Sequence, residues 1–103
     1  MTIEQLAEIL RSTGLPVTYH AWPVGEAPPL PWICYRFTNT NNFAADNAVH
    51  QVINDYDVEL YTAEKNPTAE AAVEAALAGL FWNKTETYIE SERCFQILYE
   101  LEE

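Results

Sequence analysis

Residues 28–62 read PPLPWICYRFTNTNNFAADNAVHQVINDYDVELYT. Side chains alternate between two faces at residues 32–38 and again at residues 55–60, which predicts β-strands. Between these runs the chain is rich in Asn, whose side chain competes for backbone hydrogen bonds and disfavours regular structure. The stretch therefore predicts two strands, Trp32–Thr38 and Val49–Thr62, joined by an extended polar arm.

A helix is predicted before this stretch, over Thr2–Thr13. Thr2 and Gln5 have the spacing of a capping box, and Gly14 is a natural helix stop. One apolar stripe follows the i, i+3, i+4, i+7 pattern of a helix face packed on a core, formed by Ile3, Leu6, Ala7 and Leu10.

A second helix is predicted after the stretch, because Asn66 can cap its first turn and Pro67 fits its first position. The pattern carries it to about Leu80, with Glu70 and Glu74 facing solvent. Its predicted core face consists of Ala69, Val73, Ala76, Leu77 and Leu80.

Two further strands complete the prediction, a short one at Val17–Trp22 and the last one at Arg93–Leu101, with Asn83–Glu92 read as a polar connection. The element order is then α-β-β-β-α-β. The predicted fold class is α+β, with a mainly antiparallel sheet, two helices packed on it and a long central β-hairpin arm. The length of 103 residues and 49% hydrophobic content predict one domain over residues 1–103.

The chain is strongly acidic, with 16 acidic and 5 basic residues and a formal net charge of −11. This charge disfavours binding to nucleic acid phosphates or to an anionic membrane surface. The simpler explanation of the charge is solubility. The more specific explanation is a surface that repels DNA or pairs with a basic partner. The N-terminus lacks the pattern of a signal peptide, and two cysteines provide no disulfide framework, which predicts a reducing cytoplasm.

The polar arm at Asn39–Asn47 has two interpretations. It is either a disordered hairpin tip, or a segment that becomes ordered against another subunit with Phe43 as its anchor, since aromatic residues dominate interface energetics. The interface prediction comprises Asn39, Asn41, Asn42, Phe43 and Asn47.

Three carboxylates, Asp55, Asp57 and Glu59, lie on one face of the predicted strand at a spacing of two residues. The pattern fits a solvated strand face, an acidic lining within an assembly, or a cation site. The cation site is the weakest of the three, because the glycine and closing Glu of a calcium loop are missing. Arg36, one of few cations, is expected to pair with a carboxylate, either within the chain, for example on the next strand, or on another subunit.

The motifs of the common enzyme classes are missing. The sequence has no Gly-rich phosphate loop, no Ser-His-Asp or Cys-His context and no zinc spacing. We therefore expect a protein that is not an enzyme and needs no cofactor or metal.

The chain as a whole resembles the tail terminator or tail completion proteins of long-tailed bacteriophages and prophages. The resemblance lies in the order of the predicted elements and in the residue composition of each segment, over nearly all 103 residues. It is carried by TIEQLAEILRSTGLPV, PPLPWICYRF, TNTNNFAADN, DYDVELYTAEKN, PTAEAAVEAALAGL and CFQILYELE. Related head–tail connector proteins have a similar size and texture.

The resemblance implies a structural virion protein that forms a hexameric ring at the head-proximal end of the tail. Such a ring ends tail tube polymerisation and joins the tail to the head, so its partners would be other copies of the chain, the tail tube protein and the head–tail connector. DNA passes through the ring without sequence-specific binding, and Asp55, Asp57 and Glu59 are the candidates for residues facing its lumen. Assembly would occur in the bacterial cytoplasm, with the protein ending in the virion.

Two alternatives stay open. One is a small acidic binding or inhibitory protein that acts on a basic partner. The other is a minor enzyme or ligand-binding α+β domain that uses Tyr, Trp and His side chains.

Overall fold

The computed structural model describes residues 1–40, 43–45 and 48–102, and for residues 43–45 and 48–51 we describe the backbone. Two helices and seven strands occur in these ranges. The helices are α1 (Ile3–Arg11) and α2 (Pro67–Ala76). The strands are β1 (Val17–Tyr19), β2 (Trp32–Thr40), β3 (Phe43–Ala45), β4 (Ala48–Gln51), β5 (Asn54–Thr62), β6 (Phe81–Ile89) and β7 (Cys94–Glu102).

Five strands form the main sheet in the order β1-β2-β5-β7-β6. The short β1 is parallel to β2, and the other neighbours are antiparallel. Strands β3 and β4 form a separate two-stranded hairpin in the arm between β2 and β5. The predicted α+β class, with a mainly antiparallel sheet and two helices, is confirmed.

Both helices pack on the same face of this sheet. The α1 stripe is anchored by Leu6 and Leu10, and α2 contributes Val73 and Leu77, all fully buried. Opposite the helices, every second residue of the central strands β2, β5 and β7 points into the core, so the side chains on that face of the sheet are apolar. These strand residues are Ile33, Tyr35, Tyr56, Val58, Leu60, Ile97, Tyr99 and Leu101.

The start of α1 is the predicted capping box. The Thr2 hydroxyl accepts from the Gln5 backbone N–H at 3.1 Å, and the Gln5 side chain accepts from the Thr2 backbone N–H at 2.8 Å. Asn66 caps α2 in the same way by accepting from the Ala69 N–H at 3.0 Å. Local sequence therefore determines where both helices begin.

For the main sheet, the predicted order α-β-β-β-α-β lacks one strand, β6, which lies between α2 and the last strand. Helix α2 ends at Ala76 rather than near Leu80, and Gly79 adopts a positive φ of 88° just before β6 begins. Nearly all of β6 is exposed. An edge strand held by backbone pairing with β7 has no apolar alternation, which is why its sequence predicts a polar connection instead of a strand.

The long strand predicted at Val49–Thr62 is two strands. Strand β4 ends at Gln51 and β5 begins at Asn54. The two belong to different sheets, so Val52 and Ile53 carry the chain from the arm to the domain. In the other direction, β2 runs two residues further into the predicted arm and ends at Thr40.

Glu70 was predicted to face solvent, but it is 4% exposed. Lys65 and Lys84 each place an ammonium 2.7 Å from its carboxylate, and Lys84 also contacts Glu74 at 2.7 Å. Burial alone would raise the pKa of Glu70, but the hydrogen bonds from the two lysines outweigh it and the pKa is lowered. Because Lys84 belongs to β6, this cluster ties the edge strand to α2.

Candidate interaction surfaces

The second face of the sheet faces away from both helices. Its side chains are those of the opposite strand parity to the core, including Cys34, Arg36, Asp57 and Leu98. At one end, the Pro-rich segment 20–31 returns over this face, where Trp22 packs edge-on against Trp32 with ring centroids 6.0 Å apart. The rest of this surface, which we call the open face, is polar and acidic.

The predicted acidic row lies on the open face, where Asp55, Asp57 and Glu59 project from β5. Two more carboxylates stand beside this row on β7, since Asp57 is directly opposite Glu100 and Asp55 is directly opposite Glu102. Glu100 has the outward parity of β7, but nothing in the sequence showed that β7 lies next to β5.

Arg36 is the cation of this acidic group, as predicted. It donates to the Asp57 carboxylate at 3.1 Å and lies 3.7 Å from the Glu59 carboxylate. The hydrogen bond to Asp57 raises the pKa of Arg36, and Glu59 adds to the effect. The Asp57 and Glu59 side chains are 14% and 13% exposed, while Arg36 is 43% exposed. Two of the three predicted carboxylates are therefore partly covered and partly neutralised.

A chain of hydrogen bonds links this acidic end to the aromatic end. The Tyr61 hydroxyl donates to Glu59 at 2.9 Å and accepts from the Gln96 amide at 3.0 Å. Burial, followed by the bond to Glu59, raises the pKa of Tyr61 to about 12. Burial and Glu59 also raise the pKa of the Cys34 thiol to about 11. Cys34 is thus a protonated, buried group rather than a nucleophile at neutral pH.

The five carboxylates and Arg36 give this end of the open face a formal charge of −4. A shallow depression of about 210 Å³ lies here, with the 73% exposed Phe81 ring at its edge. Like charges directly opposite in an antiparallel sheet destabilise it by about 0.2–1 kcal/mol per pair. This arrangement can repel phosphate groups or attract a basic surface. Within residues 1–40, 43–45 and 48–102, no three His, Cys, Asp or Glu residues are placed to hold a metal ion.

The predicted interface arm is described in part. Asn39 is exposed near the end of β2, where its amide donates to the Thr40 carbonyl at 3.3 Å. Phe43 begins β3, so the backbone here is extended rather than irregular. Asn41, Asn42 and Asn47 lie outside the described residues.

Comparison with known proteins gives a similarity of fold. No family model matches the chain, and no curated protein matches it. Among solved structures, a chain of the "Virion of native gene transfer agent (GTA) particle" has a TM-score of 0.63 and 16% sequence identity. The similarity covers 96% of this chain and 87% of that chain. In the part of the chain that the structure describes, no helix is long and apolar enough to cross a membrane.

Proposed function

We propose that this protein is a structural component of a phage-like virion and acts as a tail terminator. In this role, a hexameric ring of the chain would sit at the head-proximal end of the tail, end tube polymerisation and join the tail to the head. The observation that carries the proposal is the fold similarity to a chain of a gene transfer agent virion, because it extends over 96% of the residues. The role needs no cofactor, and we propose no catalytic activity.

The open face supports the proposal through its charge. A ring through which DNA passes benefits from a lumen that repels phosphate, and Asp55, Asp57 and Glu59 form an acidic row on one sheet face. Glu100 and Glu102 widen this row to two strands. The cross-strand pairing of like charges reduces stability, which fits a surface selected for its potential rather than for folding.

The arm supports it through its architecture. Strands β3 and β4 pair with each other and lie outside the five-stranded sheet. A hairpin that is not part of the main sheet is suited to a heterologous contact, in which one patch meets a different patch on the neighbour, as a closed ring requires. The proposed interface therefore includes Asn39 and Phe43, together with Asn41, Asn42 and Asn47.

The test is the mass in solution, measured by light scattering after size exclusion over a range of concentrations. We expect a mass near six times 11.7 kDa, or a monomer that binds the ends of purified tail tubes and stops their growth in electron micrographs. A chain that neither self-associates nor binds tube ends would contradict the proposal. A ring that binds the connector but not the tube would instead indicate a related head–tail connector component.

The acidic open face also favours a second candidate, a small acidic protein that covers a basic partner. A stable monomer that binds a basic protein with an affinity that falls steeply with salt, and that leaves tail tubes unaffected, would support this candidate.

A further inference from the structure

An apolar groove of about 580 Å³ lies between α1 and the β1–β2 edge of the sheet, at the base of the arm. Two aromatic rings stand open at its mouth, with Tyr19 49% and Phe37 40% exposed. Glu4 and Arg11 of α1 contribute one charge of each sign. Its apolar lining consists of Ile3, Ala7, Tyr19, Tyr35, Phe37 and Tyr56.

The groove follows a strand edge that is only half paired. Strand β1 covers β2 from Ile33 to Tyr35, and no strand among the described residues covers the outer edge of β2 from there to Thr40. At Phe37, the Tyr19 hydroxyl accepts from the backbone N–H at 3.2 Å, in the place where a neighbouring strand would do so. Edges of this kind accept an added strand.

In the part of the chain that the structure describes, the β3–β4 hairpin lacks a sheet to pair with, whereas the β2 edge lacks a strand. Within the described residues its strands pair with each other but with no strand of the main sheet. A two-stranded hairpin alone in water is marginally stable, and it becomes stable when its apolar side chains are packed. Its sequence carries Phe43, Ala44 and Val49. At residues 43–45 and 48–51, backbone pairing with the main sheet therefore does not stabilise the hairpin, which leaves it suited to pairing with a second copy.

The acidic residues are concentrated in the second half of the chain, which favours contact between two copies of the chain through the first half. Residues 1–54 contain four acidic and two basic residues, so their formal charge is −2. Residues 55–103 contain 12 acidic and three basic residues, a charge of −9. Two copies would therefore repel each other more through β5, α2, β6 and β7 than through α1, β1, β2 and the hairpin.

We infer that this groove receives the β3–β4 hairpin of a second copy of the chain. The inference rests on the proposed ring and identifies the two patches that would form its interface. Each copy offers a hairpin and a groove at different places, so the contact is heterologous and can repeat around a ring. The hairpin strands extend the free edge of β2, beside the exposed Tyr19 and Phe37 rings.

The first test is disulfide cross-linking between separately purified variants. Glu4→Cys places a thiol on the exposed rim of the groove, and Ala44→Cys places one on the hairpin. The native Cys34 and Cys94 are buried and do not compete. We expect a cross-linked pair only in the mixture, whereas Ala44→Cys mixed with Thr85→Cys, on the far edge strand β6, should give none.

The second test is truncation of the groove aromatic. Phe37→Ala should raise the dissociation constant for self-association, or for binding to tube ends, by about 30-fold or more, as for a hot-spot aromatic. Tyr88→Ala, which removes a similarly exposed ring from β6, should change it by less than about 3-fold. Circular dichroism of both variants checks that they remain folded.

The outcomes of these tests distinguish failure of the proposed hairpin–groove contact from failure of the proposed ring. Self-association that persists in Phe37→Ala, with no cross-link in the mixture, would overturn the groove while leaving the ring. A double variant, Glu4→Cys with Ala44→Cys, that cross-links only within one chain would show that each hairpin occupies its own groove. A wild-type chain without self-association or tube binding would overturn the ring itself.

Discussion

Replacing Lys84 by methionine is expected to lower the free energy of unfolding by about 2 kcal/mol at neutral pH. The Lys84 ammonium lies 2.7 Å from both Glu70 and Glu74, and methionine preserves most of the apolar stem beside the Tyr99 ring. A hydrogen bond to a charged group contributes about 1.5–3 kcal/mol. The Lys84 side chain is 33% exposed, so solvent screening reduces both contacts. For about 100 residues, the loss corresponds to a Tm lower by roughly 10 °C.

The loss of unfolding free energy in Lys84→Met should depend on pH, because folding shifts the pKa values of Glu70, Glu74 and Lys84. Hydrogen bonds from Lys84 lower the pKa of Glu74, and those from both lysines lower the pKa of Glu70 against the effect of burial. A carboxyl whose pKa is lowered by folding stabilises the fold above its unfolded value of 4.5, and this contribution is lost as the pH falls through the folded value. The pKa of Lys84 is raised from 10.5, mainly by Glu70, so its contribution is lost above that value. The difference between wild type and variant is thus largest between about pH 5 and pH 10.

Urea unfolding followed by far-ultraviolet circular dichroism measures this difference. Glu70→Gln alone and combined with Lys84→Met completes a double-mutant cycle, which isolates the contact between the two residues. A loss below about 0.5 kcal/mol, the usual effect of a surface substitution, would refute the view that Lys84 holds β6 to α2. So would a loss of undiminished size at pH 3.

Three further outcomes are expected. Glu100→Gln should raise the Tm by a few degrees, because it removes a like-charge pair across from Asp57 that costs about 0.2–1 kcal/mol; calorimetry that shows a lower Tm would mean that Glu100 holds a favourable contact. A variant in which Asp55, Asp57 and Glu59 are replaced by the neutral amides should reduce DNA passage more than ring formation. DNA passage is measured as DNA delivery by assembled particles, and ring formation by light scattering. A collapsed fold would show that the acidic row is structural. The thiols of Cys34 and Cys94 are buried with raised pKa values, so a thiol reagent at pH 8 should modify them at the rate of unfolding, and rapid reaction in the native protein would contradict their burial.

Much of the local structure could be predicted because its causes are local. The α1 capping box, the Asn66 cap of α2 and the parity of β5 all depend on residues a few positions apart. The pairing of Arg36 with a carboxylate on the next strand was also predictable, since cations are rare in this sequence. The polar edge strand β6 was not predictable in this way, because backbone pairing with β7 holds it without a burial pattern.

The sequence by itself determined the α+β class, the start of each helix and the faces of β2 and β5 on which their side chains lie. Periodicity and caps are properties of neighbouring residues, so no distant contact is needed to express them. Only the tertiary structure decided that β7 lies beside β5, which brings Glu100 to Asp57, and that β6 carries Lys84 to the buried Glu70. Strand adjacency and the burial of a charge depend on residues far apart in the chain, and their energetics arise only when the sheet is assembled.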